Sequence, residues 1–272
     1  DNYKGQSRLL KNDSEGPLRL LRPYYPEGKD CAHLYLLHPP GGLVCGDRLE
    51  VGIKLANNTQ SLVTIPSAGK VYRSDALNHR QSQSTVIDCG RCTQLEWLPQ
   101  ETIVFSGSNG RQDLTLETVR DSKFIVWEVT ALGRPASSAP FLKGKFSQLL
   151  QINLNGSPIF VERIKIAAQS GFMEAPSGLN HYSVYGSMIA GYFESDNCLQ
   201  LLNALRKDSA VVNHTTANSN LRWSATTKDN LLIIRALAQQ SEPVKTLFHR
   251  IWDLCRPKLM HRISHYPRIW ST

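Results

Sequence analysis

The residues of this sequence with the clearest potential for chemistry are acidic side chains set in apolar runs. Glu128 follows the letters FIVW and Glu162 follows IFV, while Glu96 and Glu101 flank the stiff segment WLPQ. An ionised carboxylate is costly to bury unless it is paired or solvated. Each acid therefore has a simple interpretation as half of an ion pair, for example Glu162 with Arg163 or another cation. Several such groups along one watery interior path would instead suit a divalent cation.

A second unusual feature is the loop at residues 38–47, which has the sequence HPPGGLVCGD. Its two prolines fix φ and its three glycines allow backbone geometries closed to other residues. We therefore expect a stiff loop that presents His38 and Asp47, with Gly41 and Gly42 in backbone conformations that larger residues avoid. A P-loop needs a lysine after its last glycine and then a helix. Here an aspartate and a strand pattern follow, so nucleotide binding is not expected and a tight structural corner is the alternative.

The six cysteines include one pair, Cys89 and Cys92, with the spacing of half a zinc knuckle. No second CxxC accompanies it to complete four zinc ligands, and the pair lacks the βα context of a redox motif. Small, partly buried structural residues are the simpler interpretation. The sequence has no signal-peptide pattern and no long apolar stretch, which favours a reducing, cytoplasmic setting. The chain begins at Asp1 without a methionine, which leaves room for N-terminal residues ahead of it.

The sequence offers little sign of catalysis or of nucleic-acid binding. G-x-S-x-G and H-E-x-x-H are both absent, and residues 107–110, GSNG, are predicted to be only a turn. The formal net charge is +8, but the basic residues are scattered and are densest between Arg256 and Arg268. Without a run of five or more Lys or Arg, a basic face for an acidic protein partner is favoured over nucleic-acid binding.

The elements that must position these residues are mostly strands. Leu49–Leu55 alternates apolar and polar residues, as a half-buried strand does. Asn155 and Gly156 join two strand-like runs and favour a type I′ hairpin turn. The strand-like runs cover residues 49–55, 61–65, 85–87, 94–98, 102–105, 124–129, 149–154, 158–166 and 231–237.

Two helices are predicted late in the chain. Residues 196–207 carry leucines at helical spacing. Residues 242–255 carry apolar residues at the same spacing, from Val244 to Leu254, with Pro243 in the first turn. Pro257 is expected to end the second helix. Strands outnumber helices and no βαβ alternation is present, so we predict an all-β dominated fold of packed β-sheets with two helices in the C-terminal third. A chain of this size suits one domain over residues 1–272.

Several motifs, taken together and in order, resemble those of the UreD (UreH) family of urease accessory proteins. The residues that carry the resemblance are RPYYP at 22–26, CAHLYLLHPPGG at 31–42, GD at 46–47, TIPSAGKVYRS at 64–74 and LEWLPQE at 95–101, with weaker matches to LGRP at 132–135, VER at 161–163 and PRIW at 267–270. The sequence departs from the family at Cys45, where glycine is usual. Cys45 is therefore not expected to be an essential nickel ligand.

The resemblance implies a β-rich scaffold that is not an enzyme. UreD proteins bind UreF, which recruits the GTPase UreG, and together they dock on apo-urease to load nickel; two such complexes could pair as a dimer. Neither nucleic acid nor membrane is implied as a partner. No tightly bound cofactor is implied, but nickel could be in transit through an internal passage. The residues expected beside that passage are Asp47, Glu96, Glu101, Glu128 and Glu162.

Two other classes of function remain open from the sequence. A β-rich hydrolase could use the interior carboxylates, and it would turn over substrate without any partner. A nucleic-acid-binding protein could use the basic C-terminal stretch, and its binding would fall steeply with salt.

Overall fold

The computed structural model describes residues 1–191, 195–217 and 220–271. The helices in these residues are α1 (Ser195–Lys207), α2 (Ser209–Ala217) and α3 (Ser241–Met260). The strands are β1 (Asn2–Tyr3), β2 (Gln6–Ser7), β3 (Arg19–Leu20), β4 (Cys31–Leu37), β5 (Arg48–Leu55), β6 (Gln60–Thr64), β7 (Gly69–Val71), β8 (Gln81–Cys89), β9 (Gln94–Trp97), β10 (Thr102–Val104), β11 (Ser108–Thr118), β12 (Lys123–Leu132), β13 (Gly144–Leu154), β14 (Ser157–Ala167), β15 (Val184–Gly191), β16 (Arg222–Lys228) and β17 (Leu231–Ala238).

The chain winds back and forth between two sheets. The larger sheet has the order β16-β17-β15-β12-β9-β6-β4-β3, with β10 and β7 attached beside β12, and the smaller has the order β14-β13-β11-β8-β5. Strands β4, β6, β9 and β12 pair in parallel, as do β5, β8, β11 and β13. Between β4 and β13 the chain alternates between the sheets, apart from the short strands β7 and β10, so neighbouring strands in this part of each sheet run in the same direction.

The molecule has three layers, with the larger sheet in the middle. One face of this sheet packs on the smaller sheet through a core that includes Trp97, Phe124 and Leu116. The other face packs on the helices through a core that includes Trp127 and Phe248. Because both faces are covered, nine of the ten residues of β12 are buried. This explains why β12 has a continuous apolar pattern with one acid in it.

The all-β dominated fold of packed sheets is confirmed, and so is the hairpin. Strands β13 and β14 pair antiparallel, and Asn155 and Gly156 between them have φ values of 50° and 78°. Two details differ from the sequence predictions. A third helix, α2, lies between the two that were expected. Ser108 is not part of a plain turn but begins the eleven-residue strand β11.

The prediction that Pro257 ends the last helix is wrong, because α3 continues to Met260. A proline this close to the C-terminus removes few backbone hydrogen bonds. Leu259 and Met260, which follow it, are almost fully buried, so their packing favours one further turn. His261 then ends the helix in the left-handed conformation, with φ 55°.

The glycine-rich loop is shaped in two different ways. Gly41 has φ +78°, as predicted, but Gly42 does not lie in the left-handed region, so that part of the prediction is wrong. Gly42 is instead required by close approach: a Cβ there would lie 2.7 Å from the carbonyl oxygen of Lys70 and 2.6 Å from the Tyr72 ring. The loop is thereby held against β7.

Candidate functional site: carboxylates between the sheets

Two of the predicted acids, Glu128 and Glu162, line one small cavity between the two sheets. Glu128 lies on β12 of the larger sheet and Glu162 on β14 of the smaller one. Ser187 on β15 connects them, because it is the cross-strand neighbour of Glu128 and its hydroxyl donates to Glu162 over 2.5 Å. The sheets therefore bring together two carboxylates that are 34 positions apart in sequence.

Glu128 is held by uncharged donors. Trp97 Nε1 donates to one oxygen at 2.9 Å and Gln112 Nε2 donates to the other at 2.5 Å. Among the described residues, no Lys, Arg or His forms a salt bridge with it. Burial therefore raises the pKa of Glu128 to about 7, although the Trp97 hydrogen bond opposes the shift. Near neutral pH this carboxyl can gain or lose a proton, or exchange a proton for a cation.

Glu162 lies where the cavity meets the surface. Arg235 Nε is 2.5 Å from one of its oxygens, and the Arg235 side chain is 51% exposed while that of Glu162 is 14% exposed. The expectation that Glu162 would pair with Arg163 or another cation is therefore met by Arg235. The pair forms across the two sheets and lies at the outer end of the cavity.

The wall of the cavity carries further polar groups. Gln148 Nε2 and the hydroxyl of Tyr185 are buried, and within the described chain they have no hydrogen-bond partner. The space open to the centre of a water molecule is about 10 Å³, which is close to what one water requires. A polar cavity of this size, with two unpaired polar atoms, suits an ordered water between Glu128 and Glu162.

Two larger spaces lie near Gln112, the hydrogen-bond partner of Glu128. Gln112, which holds Glu128, also lines a cavity of about 50 Å³ together with His38, Lys70 and Arg111. That cavity shares Leu18, Leu36 and Val51 with a groove of about 580 Å³ that runs under the N-terminal segment. This groove and the 50 Å³ cavity adjoin, and the hydrogen bond from Gln112 to Glu128 lies between them and the small cavity of Glu128 and Glu162.

Glu96 lies on the opposite, helix-facing side of the larger sheet. Arg256 of α3 contacts both of its oxygens, with Nε at 3.0 Å and Nη2 at 2.9 Å, and Trp252 Nε1 donates to it at 2.6 Å. Arg256 also binds Glu27, at 2.7 Å through each terminal nitrogen. Burial raises the pKa of Glu96, while the Arg256 guanidinium acts in the opposite direction. The same guanidinium and His33 hold the pKa of Glu27 at about 2, against the effect of burial.

The other two predicted acids are engaged elsewhere. Glu101 lies beside the first turn of α3, 3.1 Å from Lys245 Nζ and 3.3 Å from the Ser241 hydroxyl. Asp47 accepts a hydrogen bond from the backbone N–H of Val44 at 2.9 Å and so closes its own loop. The structure therefore brings Glu128 and Glu162 together, and it separates both from Glu96, Glu101 and Asp47.

The cysteine pair shows no shared function in this structure. Cys89 is buried and Cys92 is exposed, and both are free thiols. Burial raises the pKa of Cys89 to about 12, which keeps it a neutral thiol. In the basic C-terminal stretch, Arg256 is fully buried and Arg262 binds Gln60 and Asp30. Two of the cations that a nucleic-acid-binding surface would use are thus occupied inside the fold.

Comparison with known proteins identifies the class of this protein as that of a urease accessory factor. The family model described as "UreD urease accessory protein" matches residues 1–271. A UreD of Hahella chejuensis is 48% identical over 261 residues, which cover 95% of this chain and 83% of that protein. A UreD of a Marinomonas species is 39% identical over 97% of this chain and 85% of its own length.

A third relative, the UreD of Marinobacter nauticus, is 37% identical over 98% of this chain and 86% of its own length. The chain therefore belongs to the UreD family. Among the described residues, no helix combines the length and the apolar character that crossing a membrane requires.

Proposed function

We propose that this chain is a urease maturation factor that acts as a scaffold for nickel insertion. In this role it binds UreF, and through UreF the GTPase UreG, and docks on apo-urease. Family membership over residues 1–271 and relatives named urease accessory proteins support the proposal. The net charge of +8 suits acidic protein partners.

Nickel in transit is proposed to follow the spaces between the two sheets. The observation that supports this proposal is that cavities lie on both sides of the hydrogen bond between Gln112 and Glu128, which would have to open for a cation to pass. Carboxylate and amide oxygens, together with water, can replace part of the hydration shell of a divalent cation. A carboxyl with a pKa of about 7 can accept the cation by releasing a proton and can take the proton back as the cation leaves.

The remaining predicted acids receive other roles in this proposal. Glu96 and Glu101 hold α3 against the larger sheet, because each is bonded to residues of that helix. Asp47 holds the glycine-rich loop in shape. The passage is thus proposed to depend on Glu128 and Glu162 and not on all five acids.

The decisive experiment compares nickel delivery with complex formation in the same cells. Glu128→Gln and Glu162→Gln keep the side-chain volume but remove the charge, and Glu174→Gln changes an exposed acid as the control. We expect the two cavity variants to co-purify normally with UreF, UreG and urease, while the urease contains less nickel. If nickel content and the amount of complex fall in proportion in both variants, the passage is wrong and the scaffold alone remains.

The scaffold function also predicts that the isolated chain does not hydrolyse GTP, because its glycine-rich loop lacks the lysine of a P-loop. Phosphate release from purified protein supplied with GTP and magnesium measures this. Turnover that survives further purification would contradict a purely non-catalytic function.

A further inference from the structure

A cluster of a different composition lies on the helix-facing side of the larger sheet, near the start of β4. Glu27, Cys31 and His33 each offer a metal-ligand atom there, and these atoms all lie within 4.8 Å of one another. Cys31 and His33 are two positions apart on β4, so both point to the same side of the sheet. A turn before the strand brings Glu27 over them, held by pairing between Tyr24 and His33.

The His33 side chain has one ring nitrogen engaged within the cluster and one without a partner. It is completely buried, and its Nδ1 has no hydrogen-bond partner among the described residues. Its Nε2 lies 2.6 Å from Glu27 Oε1. A cation that takes the place of the proton between Nε2 and Oε1 would contact His33 and Glu27 together, next to Cys31. Arg256 bonds both Glu27 oxygens at 2.7 Å and keeps this carboxylate ionised and in place.

The charges around the cluster also suit a divalent cation. Three carboxylates, those of Glu27, Asp30 and Glu96, are bonded to two guanidiniums, those of Arg256 and Arg262. One negative charge is left over, and a Cys31 thiolate would add a second. A doubly charged cation would therefore neutralise the group. Without a cation, burial and the neighbouring carboxylates raise the pKa of Cys31 far above its ordinary value, so the thiol stays protonated.

We propose that Glu27, Cys31 and His33 form an exchangeable site for a divalent cation with the ligand preferences of nickel and zinc. Sulfur, imidazole nitrogen and carboxylate oxygen together select such borderline cations over magnesium or calcium. On binding, the Cys31 thiol releases its proton to solvent and the thiolate contacts the metal. With three protein ligands, the affinity is expected to lie below that of a closed four-ligand site.

This site is separate from the proposed passage. Ala32 and Leu34, which alternate with the cluster residues on β4, line the groove between the sheets, whereas Cys31 and His33 face away from it. The proposal therefore does not rest on nickel moving between the sheets. The metal site and the passage can each be disproved without affecting the other.

The test uses the full chain with the exposed thiols removed, as Cys45→Ser and Cys92→Ser, titrated with cobalt, nickel and zinc salts. We expect one equivalent of cobalt to give a thiolate-to-metal charge-transfer absorption that zinc abolishes and nickel competes for. X-ray absorption at the metal edge is expected to show one sulfur ligand among nitrogen and oxygen ligands. A metal shell without sulfur would overturn the proposal without the need for any further variant.

Two substitutions then assign the sulfur. Cys31→Ser is expected to remove the charge-transfer band and to lower the affinity at least tenfold, whereas Cys89→Ser, which changes a buried thiol on another strand, leaves both unchanged. If the band survives Cys31→Ser or disappears equally in Cys89→Ser, the site is not this cluster. The competition between nickel and zinc shows which of the two the site prefers.

Discussion

Glu96 and Glu128 lie in neighbouring strands of one sheet, and both are nearly inaccessible, with 2% and 6% of their surface exposed. They point to opposite faces and meet opposite surroundings. Glu96 is bonded by a guanidinium, while Glu128 is bonded by an indole and an amide. Burial alone therefore does not tell a structural carboxylate from one that can exchange a cation; the charge of its partners does.

The two surroundings also differ in how much of the chain they connect. Arg256 joins α3 to Glu96 on β9, to Glu27 in the N-terminal segment and to the backbone of Ile263 after the helix. Around Glu128 the partners are Trp97 and Gln112, one from each sheet. We therefore expect the helix-facing network to contribute most to the free energy of unfolding. The cavity between the sheets is expected to affect the passage of nickel.

The largest expected effect is that of Arg256→Met, which leaves Glu27 and Glu96 buried without their cation. Removing one partner of a buried ion pair costs about 3–5 kcal/mol. Lys258→Met, on an exposed position of the same helix, is the control and should change the free energy of unfolding by less than about 0.5 kcal/mol. Urea unfolding at neutral pH measures both. If Arg256→Met and the wild type have equal free energies of unfolding, the Arg256 network does not stabilise the fold.

A second prediction concerns acid. The folded pKa of Glu27 is about 2, below its ordinary value of 4.5. A lowered pKa gives stability that is fully present above 4.5 and is lost as the pH falls towards 2. We expect wild-type protein to lose about 2 kcal/mol over this interval through Glu27. Glu27→Gln should be less stable at pH 7 and should lose less on acidification, as followed by unfolding at a series of pH values.

Glu128 should respond to pH in the opposite direction. Its folded pKa of about 7 lies above the ordinary 4.5, so its stabilising contribution is present below 4.5 and is lost as the pH rises through 7. Glu128→Gln removes the charge and is expected to raise the free energy of unfolding at pH 8 by about 1–3 kcal/mol. The difference in free energy of unfolding between Glu128→Gln and the wild type should become smaller towards pH 5. A variant that is less stable than wild type at pH 8 would show that the Glu128 charge is satisfied in the fold.

The contrast between the two glutamates could not be predicted from the sequence, although both were singled out there. Each acid interrupts an apolar run, and that pattern is local. The partner of Glu96 is 160 residues away on a helix, and nothing in the letters around Arg256 marks it as buried. Gln148 and Tyr185 were missed because a polar residue in an alternating strand normally faces solvent. Here a second sheet covers that face.

The same reasoning explains which elements were predicted. The strand Leu49–Leu55 and the Asn155-Gly156 hairpin carry their signals in short, regular patterns, and the structure contains both. Strand β11 begins with the polar letters SNGRQD, so its first half resembles a loop. Its place between β8 and β13 supplies backbone partners on both sides, which the sequence does not show. Tertiary pairing thus overrides weak local preference.

The smallest expected effect on stability belongs to the ion pair of Glu162 and Arg235 at the outer end of the cavity. Because the Arg235 side chain is 51% exposed, solvent screens the pair, and either Glu162→Gln or Arg235→Gln should cost less than about 1 kcal/mol.

Their effects on nickel delivery should nevertheless differ. Glu162→Gln removes the carboxylate that the passage needs, so urease matured in its presence should contain less nickel. Arg235→Gln keeps that carboxylate and removes a competing cation, so nickel content should be unchanged or higher. The measurement is nickel per urease at equal amounts of complex. If both variants lower nickel content equally, the ion pair itself is what matters, and Glu162 then belongs with Glu96 among the structural acids.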